Sequence, residues 1–353
     1  MSRLEQLGWC SFFEEQLNDL HPGLEPGRVT ADYGRELRVA VAVGDVTAAQ
    51  LADPGQLEPR PTVGDWVLVT PGGPRGRHAI ALLLARRSTL VRKVAGNVTA
   101  PQVLAANVDV AFVVMGLDGN AGPRRLERWL AAAWESGAEP VVLLNKADIA
   151  TDAAASLREA TEAAPGVAVH LVSAADGRGV EVIEDTLAAG RTGVLLGSSG
   201  VGKSTLVNRV LGEERQRTAA VRRGDAHGRH VTSSRELFAL PRGGALIDGP
   251  GIRELQLWDS SDGLAAVFAD IEELAQACRF RDCRHDGEPG CAVSEAVADG
   301  RLPAERVASF HKLRHELESL AARQSGAARL EEKRRWRAIH RSMRRLPAKG
   351  ETS

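Results

Sequence analysis

The sequence predicts a multidomain α/β protein in three parts: a small β-rich unit, a parallel sheet covered by helices on both faces, and a helical C-terminal region. Three observations predict this. From residue 27 to about residue 92, short runs of alternating apolar residues are punctuated by Gly and Pro, the pattern of a small barrel or sandwich. From about residue 102, apolar runs of strand length alternate with helical stretches, which argues for strands joined by crossover helices. Beyond residue 261 the apolar residues fall into helical stripes. A chain of 353 residues is long enough for two or three domains. Its 43% apolar and 26% charged residues describe a water-soluble globular protein.

Whole classes are excluded at this level. No apolar run approaches the roughly 18 residues of a membrane span, so no membrane partner is expected. Arg3 and Glu5 stand where a secretory signal would need an apolar core. Four cysteines are too few for a disulfide scaffold, and three of them crowd between 278 and 291. The expectation is an intracellular protein with a metal site.

Taken in order, residues 4–20 predict a short helix anchored by Trp9, Cys10, Phe12 and Phe13, with Cys10 as plain core. Leu37, Val39, Val41 and Val43 alternate as a strand, followed by runs at 66–69 and 80–84. Buried-strand candidates then lie at 108–115, 141–144, 167–172, 194–196 and 245–247, with helices at 124–134 and 180–188 between them. Near the end, Val307, Phe310, Leu313, Leu317 and Leu320 form one helical stripe after Pro303. Trp336, Ile339, Met343 and Leu346 mark a further, arginine-rich helix.

Chemistry enters at Gly197-Ser198-Ser199-Gly200-Val201-Gly202-Lys203-Ser204, which fits G-x-x-x-x-G-K-[ST] between a strand and a helix opening near Thr205. Glycines let the backbone curl so that its N–H groups face a phosphate, and the helix N-terminus adds a favourable dipole. Lys203 would reach the β and γ phosphates and Ser204 would ligate Mg²⁺. The base is chosen elsewhere. Asn145-Lys146-Ala147-Asp148 follows an apolar strand, and a carboxylate there can accept both N1–H and the exocyclic amine of guanine. Adenine has a bare N1 and no 2-amino group at that edge, so the carboxylate would be left unpaired. Ser173-Ala174, after another strand, offers a backbone N–H for guanine O6. Asp248-Gly249-Pro250-Gly251 supplies DxxG, with Asp248 toward Mg²⁺ and the Gly251 N–H toward the γ-phosphate. Four such motifs at strand ends describe a guanine-nucleotide site.

Their order is unusual: NKAD and SAA precede the phosphate loop, and DGPG comes last. Strand-end motifs need only spatial adjacency, so the pocket survives the reordering, and Gly251 leads directly toward the C-terminal region. Between phosphate loop and DGPG, the segment from Gly228 to Thr232 is the candidate switch, with Thr232 closing over Mg²⁺ and γ-phosphate. Residue 252 is isoleucine, which cannot orient an attacking water. That task falls to His230 or to a group donated by a partner.

Cys278-x₄-Cys283-x-His285-x₅-Cys291 offers three thiolates and one imidazole, a closed tetrahedral set for a structural Zn²⁺. Residues 321–353 hold ten Lys/Arg against three Asp/Glu, while the whole chain carries −1. A basic tail on an acidic body fits a polyanionic partner, of which nucleic acid is the commonest.

These residues resemble the family of bacterial ribosome small-subunit-dependent GTPases A, circularly permuted GTPases, over nearly the whole chain. Pro61-Thr62-Val63-Gly64-Asp65-Trp66 is similar to its OB-fold, and NKAD, GSSGVGKST, GRH-V-T, DGPGIRE and the Cys/Cys/His/Cys spacing match in order. Val231 and Ser233 depart from the family's usual GRHTTT. The resemblance implies an N-terminal helical segment (1–26), an OB-fold RNA-binding barrel (27–98), a circularly permuted P-loop GTPase domain (99–260) and a zinc-binding, basic helical domain (261–353). It further implies a cytoplasmic monomer that binds the small ribosomal subunit and its rRNA, hydrolyses GTP to GDP in response, and acts late in that subunit's assembly. The competing reading is an RNA-binding scaffold in which GTP is a slow or structural ligand.

Overall fold

The computed structural model describes residues 2–17, 23–34, 36–50, 60–72, 78–93, 101–118, 122–212, 235–249 and 261–319. Its first unit is a closed barrel of β1 (Glu25–Asp32), β2 (Glu36–Val41), β3 (Gly44–Gln50), β4 (Trp66–Val69) and β5 (His78–Leu83). The strands run in the order β1-β2-β3-β5-β4, and β4 returns to pair with β1. The alternation read from sequence is the alternation of faces. Val67 and Val69 point into the barrel with Val29, Leu37, Val39 and Ile80, whereas Trp66 and Leu68 face outward into the main core. Trp9 and Phe13 pack there, with ring centroids 4.9 and 5.5 Å from Trp66. The expected N-terminal helix is two short ones, α1 (Arg3–Gln6) and α2 (Ser11–Glu14). Gly8 separates them at φ +95°, where a Cβ would strike Gly190 O at 2.7 Å. Cys10 is only partly buried, at the N-cap of α2.

The second unit is a parallel sheet of β8 (Val110–Gly116), β9 (Glu139–Asn145), β10 (Ala168–Leu171), β11 (Thr192–Leu196) and β13 (Ala245–Asp248), in the order β10-β9-β8-β11-β13. Both faces are covered. Val110, Phe112 and Val114 meet α5 (Glu181–Leu187) and α6 (Lys203–Leu211). Ala111, Val113 and Met115 lie in the core that holds α3 (Pro123–Glu135) and α4 (Ala153–Ala163). Strand β12 (Glu236–Ala239) continues the sheet antiparallel to β13, with Glu236 opposite Asp248. Among the described residues β12 meets β1 at one register step, Ala31 opposite Glu236. Barrel and parallel sheet therefore form one eleven-stranded sheet.

The join is pinned from below. Arg28 is fully buried, and its guanidinium donates to the carbonyls of Leu7, Gly64 (3.3 Å) and Asn107 (3.0 Å). Burial lowers its pKa to about 10, still far above neutral. Gly64 is required here: φ is +91°, and a Cβ would lie 2.1 Å from Ala106 O. A hairpin of β6 (Thr89–Lys93) and β7 (Pro101–Ala106) links the two units.

The C-terminal unit comprises α7 (Ser261–Val267), α8 (Ala269–Ala275), α9 (Ala292–Ala298) and a helix over residues 304–319, α10. α7 lies tight on α3, because Gly263 leaves room where a Cβ would meet Ala131 O at 2.4 Å. Arg306 of α10 is buried and binds Asp270 through two nitrogens, Glu127 of α3 at 3.5 Å, and the Val267 carbonyl at 2.8 Å. Phe310 packs edge-on against Phe268 at 5.4 Å. Leu320 and the residues of the expected basic helix, Trp336, Ile339, Met343 and Leu346, lie outside the described residues.

Candidate functional site

Every motif of the parallel sheet lies at the carboxyl end of a strand, the edge where such sheets bind ligands. Gly197 follows β11, and the loop from Ser198 to Gly202 leads into α6, which opens at Lys203, two residues before the expected Thr205. Gly197 and Gly202 have φ +138° and +99°. A Cβ would strike Val114 O at 2.4 Å from the first and Asn145 Nδ2 at 2.2 Å from the second. Gly200, at φ +82°, faces open space instead. The N-cap of α6 is Gly202, which has no side chain to bond the first N–H groups, and the helix start turns the dipole's positive end to the loop. Lys203 is buried, and its ammonium donates to the carbonyls of Gly197 (2.6 Å) and Ser198 (2.5 Å). Ser204 and Thr205 follow on the first turn, half-buried.

Asn145 fastens this loop to the others. Its side chain is 1% exposed; Nδ2 donates to Val201 O at 2.8 Å and Oδ1 accepts from the Ala174 N–H at 2.9 Å. Ala147 N–H reaches Val172 O at 3.1 Å, closing the NKAD turn onto the end of β10. Exposed Asp148 accepts the buried Ser173 hydroxyl at 2.8 Å. Asp248, 3% exposed, ends β13 beside the phosphate-loop strand. The structure thus brings Asn145, Lys146, Ala147, Asp148, Ser173, Ala174, the 197–205 loop and Asp248 to one edge. Gly251, His230, Thr232 and Ile252 lie outside the described residues.

The sequence reading missed two side chains here. Asp118, two residues past the end of β8, accepts from Lys146 Nζ at 2.5 Å. That hydrogen bond, helped by the Lys146 charge and opposed by partial desolvation, holds its carboxyl below the usual range. Arg209 on α6 donates to the carbonyls of Ala174 (3.4 Å) and Ala175 (2.5 Å). The signal for Asp118 was its place, the same strand edge that carries the other motifs. Arg209 had no such signal, because its partners are backbone atoms distant in sequence.

A second centre lies between α8 and α10. One ligand atom each from Cys278, Cys283, His285 and Cys291 falls within 4.8 Å of all the others. His285 Nδ1 stands 3.6 Å from Cys278 Sγ and 3.5 Å from Cys291 Sγ. A tetrahedron with metal–sulfur and metal–nitrogen bonds of about 2.3 and 2.0–2.1 Å has a sulfur–nitrogen edge of about 3.6 Å, so the four residues fit a metal ion. The loop is braced by the Glu288 carboxylate, which accepts the N–H groups of Arg284 and Asp286, each at 2.7 Å. His311 of α10 contacts His285 O at 3.2 Å.

Residues 83–258 match the family model described as RsgA GTPase. A small ribosomal subunit biogenesis GTPase RsgA from Streptomyces coelicolor is 44% identical over 336 residues, covering 94% of this chain and 91% of the relative. The chain belongs to the RsgA GTPase family. The family's protein of the same description from Opitutus terrae is 41% identical, with 97% of each chain covered. The fold is shared with the crystal structure of YjeQ from Thermotoga maritima (TM-score 0.64, 24% identity, 83% of this chain and 98% of that one). It is shared also with YloQ, described as a circularly permuted GTPase (TM-score 0.63, 22% identity, 86% and 98%). The OB-like barrel, the permuted α/β core and the C-terminal Cys/His cluster are as the sequence led one to expect.

Proposed function

We propose that this chain is a GTPase of small-ribosomal-subunit biogenesis that hydrolyses GTP to GDP and phosphate when it engages that subunit. The observation that carries the reading is Asn145, which ties the phosphate loop and the base loop into one rigid frame. Within that frame Asp148 would take the guanine edge, the Ala174 region its O6, and the N–H groups of residues 200–205 the phosphates. Lys203 would exchange its loop carbonyls for phosphate oxygens. Mg²⁺ would be held by Ser204, by Asp248 through water, and by Thr232, and would neutralise phosphate charge. His230 is the candidate for orienting water. Zn²⁺ is the metal best suited to three thiolates and an imidazole, and its role is structural because the set leaves no open position. In this reading residues 27–98 and 261–353 flank the GTPase unit (99–260) and bind rRNA, and the protein works in the cytoplasm as a monomer.

Support comes from the names of relatives that cover most of the chain. The test is GTP turnover with and without purified small subunits, with large subunits as control. Stimulation by small subunits alone is the expected result. Slow turnover indifferent to both subunits would overturn the proposal in favour of an RNA-binding scaffold.

A further inference from the structure

The pair Asp118–Lys146 stands apart from the four motifs, yet it joins the end of β8 to the NKAD turn. Lys146 has a left-handed backbone, φ +69°, which costs a side-chain-bearing residue about 1–2 kcal/mol. The turn is held in that state by three backbone bonds: Leu117 N–H to Asn145 O, Ala147 N–H to Val172 O and Ile149 N–H to Lys146 O. With the backbone fixed, the freedom left to Lys146 is its long side chain, and Asp118 is what the structure sets against it, at 2.5 Å. The carboxylate folds back toward the phosphate loop. A Cβ on Gly116 would lie 2.7 Å from Asp118 Oδ1 and 3.6 Å from Val201 Cα. Carboxylate and loop therefore border the same space over a residue that has no side chain to fill it.

We infer that Asp118 is a positioning residue for nucleotide binding: it holds the Lys146 ammonium at the rim of the cleft, so that the lysine stem is ordered before the base arrives. The inference rests on the guanine-site reading given above. A free lysine carries about 2 kcal/mol of rotamer entropy, and ordering it during folding removes that cost from binding. Both side chains are about a third exposed or less, 32% for Asp118 and 26% for Lys146, so the pair is screened by salt.

The test measures affinity for a fluorescent GDP in the full-length protein and in Asp118→Asn, Lys146→Ala and the double variant. At low salt, Asp118→Asn should weaken binding by about three- to fivefold, the range of a partly exposed ion pair. The deficit should shrink as KCl rises, and KM for GTP should rise by a larger factor than kcat falls. In the Lys146→Ala background the same change should add nothing, and Asp118→Glu should restore part of the affinity. A deficit that persists in that background, or that ignores salt, would overturn the inference, as would no deficit at all in a protein that binds GDP normally. A wild-type protein that binds no guanine nucleotide would instead bring down the site reading together with it.

Discussion

Asn145→Ala, at a residue of the NKAD motif expected to bind GTP, should damage the proposed nucleotide site by releasing the two loops that its side chain fastens. The substitution deletes two hydrogen bonds from a side chain that is 1% exposed. It orphans the Val201 carbonyl and the Ala174 N–H, both on buried residues. A buried backbone group left unpaired costs about 1–3 kcal/mol, so two would cost about 2–6 kcal/mol in a dry site. Water entering from the adjacent cleft can satisfy part of that, which places the expectation at about 2–4 kcal/mol. The loss should divide between folding and binding, because the bonds tie two loops that a ligand would otherwise have to bring together. Urea denaturation should show the midpoint lowered with an unchanged slope. Fluorescent-GDP titration should show affinity weakened by roughly tenfold or more, equivalent to about 1.4 kcal/mol. Stability within about 0.5 kcal/mol of wild type, with affinity within twofold, would refute the reasoning, since it would mean that neither bond carries energy.

Three other perturbations follow from the same geometry. Asp148→Asn should relax the preference for guanine and admit xanthine, because the amide can donate where the carboxylate only accepts; competition between GTP and xanthosine triphosphate checks it. Cys283→Ser should release one metal ion per chain by elemental analysis and lower the melting temperature of the C-terminal unit, while wild type treated with a strong chelator should show the same loss. Arg306→Ala should destabilise the junction of α10 with α3 by about 3–5 kcal/mol, since Glu127 and Asp270 lose their buried countercharge. Burial already raises the Glu127 pKa, with Arg306 opposing it. Without Arg306 that rise should grow, so Glu127 binds its proton more tightly folded than unfolded. The variant's stability deficit should therefore shrink as pH falls through the folded pKa and be fully present above it; denaturation at several pH values reads this.

The parts legible in the sequence were those where one residue type answers one physical demand. Strand cores such as 110–115 and 141–144 are continuous apolar runs because both faces are covered. The phosphate loop could be read because Gly202 sits where a Cβ has no room. Trp66 and Leu68 were legible as strand but not as the outer wall of the barrel, since alternation does not say which face is inside. The N-terminal break at Gly8 was hidden because its cause, Gly190 O, is remote in sequence. Asp118 and Arg209 went unread for a similar reason: their partners come from other strand ends. The Cys/His spacing gave the ligand set, but nothing in it gave the brace that His311 supplies from α10.

Strand β12 has a consequence for how force travels through the molecule. Asp248, Glu236 and Ala31 occupy successive registers on β13, β12 and β1. Two inter-strand spacings, roughly 10 Å, therefore separate the carboxylate at the nucleotide edge from the barrel wall. The side toward β13 is stitched along four residues, whereas the described seam toward β1 has one step. A torque applied to the barrel would reach Glu236 through that step, in parallel with the Arg28 bonds and the β6–β7 hairpin, while a displacement of Asp248 would arrive at the same residue from the opposite side. Among the described residues Glu236 is thus where the two paths meet, and whatever grips the barrel pulls on the strand beside the one that ends at Asp248.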